Sequence, residues 1–261
     1  EKSDCGLTVL QTNGDSVKTI LYCEEQFLKG KNVRPQFPGR NVGLMFGLES
    51  SLHPFIGHPS YKDIAHLPLN ERLSIMRDPA FKQKILNESP SFREDLQKAA
   101  KEQKSNKTKE EIKAEAEIGK KLISNYETQF ILSDPPNYEP TREDSIAYLA
   151  EQRNQSEEEV IYDELIKDDG KSLIYACFTP YENHKLKFVE TFYKLKSSVA
   201  GGSDGGAHCG LICDASMPTT NLSHWARDRS AGNKIPLELI IRKQTKDTAE
   251  PYGLFDRGEI K

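Results

Sequence analysis

Apolar and polar positions along the first part of this chain follow the spacings of strands and amphipathic helices. Apolar runs over residues 7–11 and 32–37 predict two buried strands, and apolar positions at helical spacing predict a helix over Ser16–Leu28. A strand, a helix and a strand in this order indicate a parallel pair. A second apolar run covers residues 42–48, and helices are predicted over 69–76 and 80–86.

Strands and helices also alternate in the second half of the chain. Strands are predicted over residues 173–178 and 198–203, with an amphipathic helix at 184–195 between them. Two hydroxyl residues, Thr141 and Ser156, are each followed three positions later by an acid, a pattern typical of helix starts. This pattern predicts helices over residues 142–152 and 157–168. The alternation as a whole indicates an α/β fold.

The middle of the chain differs in composition from both ends. Between residues 88 and 121 Lys, Glu, Gln and Asn dominate, and acidic residues are interleaved with basic ones. Such a pattern is typical of a solvated helical segment rather than a nucleic-acid surface. We therefore predict three regions: strand–helix units over 1–87, a charged helical insertion over 88–140, and further strand–helix units over 141–261.

Charge and cysteine usage limit the classes of function. The chain of 261 residues has a net charge of −4 and a pI near 6.0, which argues against nucleic-acid binding. No apolar run approaches the roughly 20 residues that a membrane span needs. Five cysteines without a CxxC pair favour a reduced, cytoplasmic protein. Neither a nucleic-acid nor a membrane partner is expected, and the sequence does not indicate an oligomeric state.

A glycine-rich segment over residues 201–210 is the strongest candidate for a functional site. It contains one acid, Asp204, and directly follows a predicted strand. Glycines allow positive φ angles and close approach of a ligand, and α/β enzymes keep their chemistry at the carboxyl ends of strands. The alternative is an ordinary turn in which Asp204 caps its own backbone.

Three further residues are candidate substrate-binding groups. His208 follows Asp204 by four residues, so it either lines a pocket or hydrogen-bonds its own loop. Arg34 and Arg40 lie at or just beyond a strand end, where a guanidinium can bind a carboxylate through two parallel hydrogen bonds.

Several segments of the chain together resemble the N-acyl-D-amino-acid deacylase (D-aminoacylase) branch of the amidohydrolase superfamily. The resemblance spans both ends of the chain and leaves out the charged middle. Its main segments are Gly202-Ser203-Asp204-Gly205-Gly206-Ala207-His208, Ile212-Cys213-Asp214-Ala215-Ser216-Met217-Pro218-Thr219, His224-Trp225-Ala226-Arg227-Asp228-Arg229, Val33-Arg34-Pro35-Gln36 and His58-Pro59-Ser60-Tyr61.

The resemblance implies a metal-dependent (β/α)8 barrel of the TIM type, of which this chain would be the carboxyl-terminal half and hence a fragment. It implies hydrolysis of the amide bond of N-acyl-D-amino acids or related non-peptide amides. Asp204 matches the acid that, in this family, accepts a proton from metal-bound water and passes it to the leaving amine. Asp204 would also be an outer or weak ligand of the Zn²⁺ that the resemblance implies.

Amidohydrolases of this branch also carry a His-x-His pair, and this chain has none. We expect the main zinc ligands to lie in residues that precede Glu1. Two other classes of function stay open. One is an anion-binding module that uses the backbone N–H groups of the glycine-rich loop, and the other is a non-catalytic scaffold whose charged segment binds a partner.

Overall fold

The structure is a computed structural model that divides into two compact units. One unit comprises Glu1–Gly43 and Cys177–Lys261, and the other comprises Leu44–Ala176. The residues that it describes are 7–10, 16–91, 108–177, 181–207, 210–212 and 214–260.

A parallel three-stranded sheet forms the centre of the first unit. Strand β1 (Leu7–Leu10), helix α1 (Ser16–Leu28) and strand β2 (Val33–Phe37) form the predicted β–α–β unit, with Leu7 paired to Val33. Strand β6 (Val199–Ala200) lies on the other side of β2, and its Val199 pairs with Gln36. The prediction of parallel strands is therefore confirmed.

Helices from the second half of the chain pack around this sheet. Phe37 at the end of β2 stacks on Phe192 and meets Tyr193 edge-on, with both pairs of ring centroids 5.0 Å apart. Trp225 is fully buried and lies 5.7 Å from Tyr193, centroid to centroid. These aromatic rings form the core of the unit. Its remaining helices are α8 (Lys187–Lys194), α9 (Met217–Thr220), a π-helical turn (Asn221–Asp228), α10 (Leu237–Gln244) and α11 (Lys246–Ala249).

The second unit combines a small sheet with six α-helices among the described residues. Strand β5 (Ile174–Cys177) lies between β3 (Gly43–Phe46) and β4 (Gln129–Ile131), and β4 runs antiparallel to β5. The helices are α2 (Pro59–Ile64), α3 (Leu69–Met76), α4 (Pro79–Leu86), α5 (Lys109–Ile123), α6 (Ile146–Arg153) and α7 (Glu157–Leu165).

Side-chain caps explain where several of these helices begin. Ser156 Oγ accepts from the Glu159 backbone N–H at 3.1 Å, so helix α7 begins where it was predicted. The predicted helix over residues 142–152 is different. Thr141 and Asp144 cap each other across a single 3₁₀ turn, and Ser145 then caps helix α6, which begins at Ile146. Two consecutive capping residues thus divide one predicted helix into two elements.

Buried polar groups hold the helices of the second unit together. The Tyr162 hydroxyl donates to the Met76 carbonyl at 2.8 Å, and its ring packs edge-on against Phe55 at 5.3 Å. His53 is buried, and its Nδ1 accepts from the Phe55 backbone N–H at 3.3 Å. Burial lowers the pKa of His53 to about 3, so this imidazole is neutral near pH 7.

The chain is thus a mixed α/β protein, as its sequence predicts. Among the described residues the strands form two three-stranded sheets, and they do not close into a barrel. The predicted insertion over 88–140 contains helix α5 and strand β4, and β4 pairs within the sheet of the second unit. No helix in the described part of the chain combines the length and the apolar character that crossing a membrane requires.

Candidate functional site

The segment that carries Asp204 leaves strand β6 at the carboxyl end of the parallel sheet. The Gly201 N–H donates to the Phe37 carbonyl at 3.0 Å and extends the pairing by one residue. Gly202 then takes a φ of 79°, which ends the strand. The predicted strand over residues 198–203 is therefore only Val199–Ala200, because the glycines turn the chain away from the sheet.

Two features fix the conformation of the loop itself. Asp204 has a φ of 45°, in the left-handed region that Asp and Asn enter more readily than other non-glycine residues. The Ala207 N–H donates to the Asp204 carbonyl at 2.9 Å, which closes a turn. At the start of the loop, a Cβ atom on Gly201 would lie 1.9 Å from Gln36 Nε2, so only glycine fits beside β2 without a shift.

The Asp204 side chain is exposed at the tip of this turn. Its carboxylate makes no side-chain hydrogen bond or ion pair within the residues that the structure describes. In the part of the loop that the structure describes, Asp204 therefore does not act as a side-chain cap.

A buried ion pair lies behind the loop. Arg40 Nη1 is 2.8 Å from Asp214 Oδ1, and both side chains are almost completely inaccessible to solvent. Arg40 also donates from Nη1 to the Asn41 carbonyl at 3.2 Å, and its Nη2 lies 3.5 Å from Ser216 Oγ. Arg40 follows β2 by three residues, and Asp214 begins the 3₁₀ turn Asp214–Ser216. The pair therefore joins the segments that follow β2 and the Asp204 loop.

Electrostatics couple Asp214 to Asp204. Burial raises the pKa of Asp214 from 3.8 to about 6, although the Arg40 guanidinium acts in the opposite direction. The negative charge of Asp204 adds to the rise in this pKa. The sequence analysis did not single out Asp214 as a site residue. Its sequence context could have indicated a buried acid, because Asp214 lies in the otherwise apolar run Leu211-Ile212-Cys213-Asp214-Ala215.

A cavity of about 240 Å³ adjoins the first residues of the loop. Its wall includes Gly201, Ser203, Met217, Asn221 and Gln244. Asn221 Nδ2 lies 3.4 Å from Gln244 Oε1. The cavity therefore offers neutral hydrogen-bonding groups beside an apolar thioether, an environment that suits a small polar organic molecule.

The structure brings only some of the predicted site residues together. Arg40 lies near Asp204 but is enclosed and paired with Asp214. Arg34 is the second residue of β2, three residues or roughly 10 Å of strand before its carboxyl end. Arg34 therefore lies toward the amino ends of the strands, whereas Asp204 lies beyond their carboxyl ends. His208 lies outside the described residues.

The described residues do not supply a zinc site. Zinc in proteins is usually held by three or four His, Cys, Asp or Glu side chains. No group of three or more such side chains is close enough to hold a metal ion within the described ranges. Asp204 and Asp214 alone do not fit a zinc ligand set.

Comparison with known proteins does not assign the chain to a protein family. No protein family, curated protein or solved structure matches it.

Proposed function

We propose that this chain carries the acid–base half of an amidohydrolase that cleaves the amide bond of N-acyl-D-amino acids or related non-peptide amides. We further propose that its parallel strands belong to the carboxyl-terminal half of a (β/α)8 barrel. The observation that supports both statements best is the position of Asp204. Its carboxylate is exposed on a glycine-rich turn directly after a strand of a parallel sheet.

Such a carboxylate suits proton transfer during amide hydrolysis. Asp204 would accept a proton from the attacking water and then deliver it to the amine nitrogen as the C–N bond breaks. The products would be a carboxylate from the acyl group and a free amino acid. The zinc that the resemblance implies would need ligands other than the described residues, so no part of this step is assigned to it.

The neighbouring cavity supports a substrate of small size. Asn221 and Gln244 offer amide groups that can pair with an acyl carbonyl or an amide N–H, and Met217 offers an apolar surface for a side chain. The enclosed Arg40 would act indirectly, since its pairing with Asp214 fixes the segments on either side of the loop.

Substitution of Asp204 tests the proposal. In the whole natural protein, supplied with zinc, release of free amine from N-acetyl-D-methionine and its L enantiomer would be measured. Asp204→Asn should lower kcat by about 10²–10⁴-fold, because the amide cannot accept the proton. The fold should be retained, since the two side chains have nearly equal volume and the carboxylate makes no side-chain hydrogen bond among the described residues.

Asp256→Asn is the matched control, because Asp256 is also an exposed acid of the first unit and pairs with the adjacent Arg257 at 2.8 Å. It should leave kcat unchanged. Wild-type turnover by the Asp204→Asn variant would remove Asp204 from the proposed role. Absence of D-enantiomer hydrolysis by the folded, zinc-supplied wild-type protein would refute the proposed reaction itself.

A further inference from the structure

A second cavity in the first unit lies toward the amino ends of the parallel strands, away from the Asp204 loop. Its volume is about 340 Å³. Arg34 near the start of β2 and Lys196 just before β6 both contribute to its wall. Helix α1 closes one side with Phe27, and helix α10 closes another with Leu239.

Positive charge dominates the wall of this cavity. Five cationic side chains and only two carboxylates contribute to it, a formal excess of three positive charges. The cations are Arg34, Lys194, Lys196, Arg242 and Lys243, and the carboxylates belong to Asp247 and Glu250. An excess of this size attracts anions into a concave site.

Arg34 is held in place, and within the described residues its terminal N–H groups make no hydrogen bond. Its guanidinium lies over the Phe27 ring, 4.3 Å from the centroid, and its Nε donates to Asn32 Oδ1 at 3.2 Å. Glu250 Oε2 is 3.7 Å from Nη2, beyond hydrogen-bond length. Burial lowers the pKa of Arg34, since the surrounding charges only partly compensate for the loss of water.

Tyr193 supplies a second unused donor. Only 1% of this residue is exposed, and its hydroxyl has no hydrogen-bond partner in the part of the chain that the structure describes. Burial also raises the pKa of Tyr193, so the hydroxyl keeps its proton at neutral pH. A buried hydroxyl without a partner costs about 1–3 kcal/mol, a cost that a ligand acceptor would remove.

Lys243 in the same wall is different, because its donors are already used. Its Nζ donates to the carbonyls of Leu195 and Ser198 at 2.6 and 2.9 Å, and it lies 3.1 Å from Asp247 Oδ2. Lys243 therefore stabilises the fold. The groups left for a ligand are the terminal N–H groups of Arg34, the hydroxyl of Tyr193 and the exposed lysines at the rim.

We propose that this cavity binds a small, doubly charged oxyanion, which Arg34 and the Tyr193 hydroxyl contact by donating hydrogen bonds. Lys194 and Lys196 are exposed and add positive charge at the entrance. A phosphate group and a dicarboxylate share the required chemistry, since each presents acceptor oxygens with two negative charges. Binding at this end of the sheet does not depend on hydrolysis at the other end.

Isothermal titration calorimetry of the 261-residue chain with inorganic phosphate and, separately, with succinate tests the proposal at constant ionic strength. One saturable site for either anion is expected, and the preferred anion identifies the geometry of the ligand. Tyr193→Phe keeps the ring and removes only the hydroxyl. It should weaken binding about tenfold or more, since a hydrogen bond to a charged group contributes about 1.5–3 kcal/mol.

Arg34→Gln should weaken binding at least as much, with folding of both variants verified by circular dichroism. Arg227→Gln is the matched control, because Arg227 is a highly exposed cation of the same unit that pairs with Asp228. It should leave the affinity unchanged. No saturable binding of either anion to the folded chain would overturn the proposal, and so would wild-type affinity in the Tyr193→Phe variant.

Discussion

Replacing Asp214 with leucine should destabilise the first unit far more than an ordinary surface change. The Arg40 and Asp214 side chains are 0% and 1% exposed, and their closest N–O distance is 2.8 Å. In Asp214→Leu the guanidinium of Arg40 stays buried without a counter-charge and without the carboxylate oxygen beside it. Loss of one partner from such a pair typically costs about 3–5 kcal/mol.

The raised pKa of Asp214 indicates how the pair contributes to stability. A rise from 3.8 to about 6 means that the ionised carboxylate is disfavoured by about 3 kcal/mol at neutral pH, despite its partner. Attraction to Arg40 therefore does not fully offset the desolvation of Asp214. It follows that replacing both residues, as in Arg40→Met with Asp214→Leu, should cost less than about 1 kcal/mol or increase stability.

A double-mutant cycle measures this difference. The free energy of unfolding of the wild type, both single variants and the double variant would be obtained from urea titrations. Fluorescence of Trp225 is a suitable probe, because it is the one tryptophan of the chain and is buried in the same unit. Its indole N–H donates to the Gly39 carbonyl at 2.6 Å, directly before Arg40.

The expected coupling energy between the two positions is at least about 3 kcal/mol, because each single variant leaves a buried charged residue without its partner and the double variant leaves none. Additive costs, with the double variant destabilised by the sum of the single variants, would refute the reasoning. A loss below about 1 kcal/mol for Asp214→Leu would do the same, since it would mean that Arg40 is well solvated without its partner.

Two other changes have clear expected outcomes. Because the pKa of His53 is lowered to about 3, this group should reduce stability by up to about 5 kcal/mol as the pH falls from 6.5 toward 3. His53→Asn should flatten that part of the pH profile in urea titrations, and the same change at the exposed His66 should not. Gly201→Ala should cost up to about 1 kcal/mol in thermal unfolding, because its Cβ would lie 1.9 Å from Gln36 Nε2 and this half-buried side chain would have to move. At Gly205 the nearest atom would be 3.7 Å away, so an equal loss for Gly205→Ala would contradict the packing argument.

Local patterns in the sequence predict much of the fold. Helix α1 forms over Ser16–Leu28 as predicted, and helix α3 forms over Leu69–Met76. The parallel pairing of β1 and β2 also follows from the order of the elements. In each case the signal lies within a few turns of chain, where periodicity and capping determine the structure.

Predictions that depended on helix boundaries were less accurate. The helix predicted over residues 184–195 begins at Lys187, because Asn183 and His184 both have positive φ angles in a preceding turn. The helical spacing of apolar residues extends through this segment, but the helical backbone conformation does not. Local spacing alone gives no indication of such a change.

Contacts between distant segments explain what the sequence did not predict at the candidate site. The sequence identified Asp204 from its own glycine-rich surroundings. The partnership of Arg40 with Asp214 joins segments more than 170 positions apart, and no local pattern predicts it. The same is true of the cavity that combines Arg34 with Tyr193. Side chains of ordinary type become a site only through tertiary packing.

The first unit consists of two chain segments that are synthesised at different times, and this affects the order in which its strands can pair. Strand β2 leaves the ribosome before Leu44–Ala176, and its neighbour β6 is synthesised only after all of that segment. The intervening unit begins and ends on adjacent strands, β3 and β5. It can therefore fold before β6 is synthesised and the first unit is complete. Its closure then brings the two outer segments toward each other and shortens the effective loop that pairing of β2 with β6 must close.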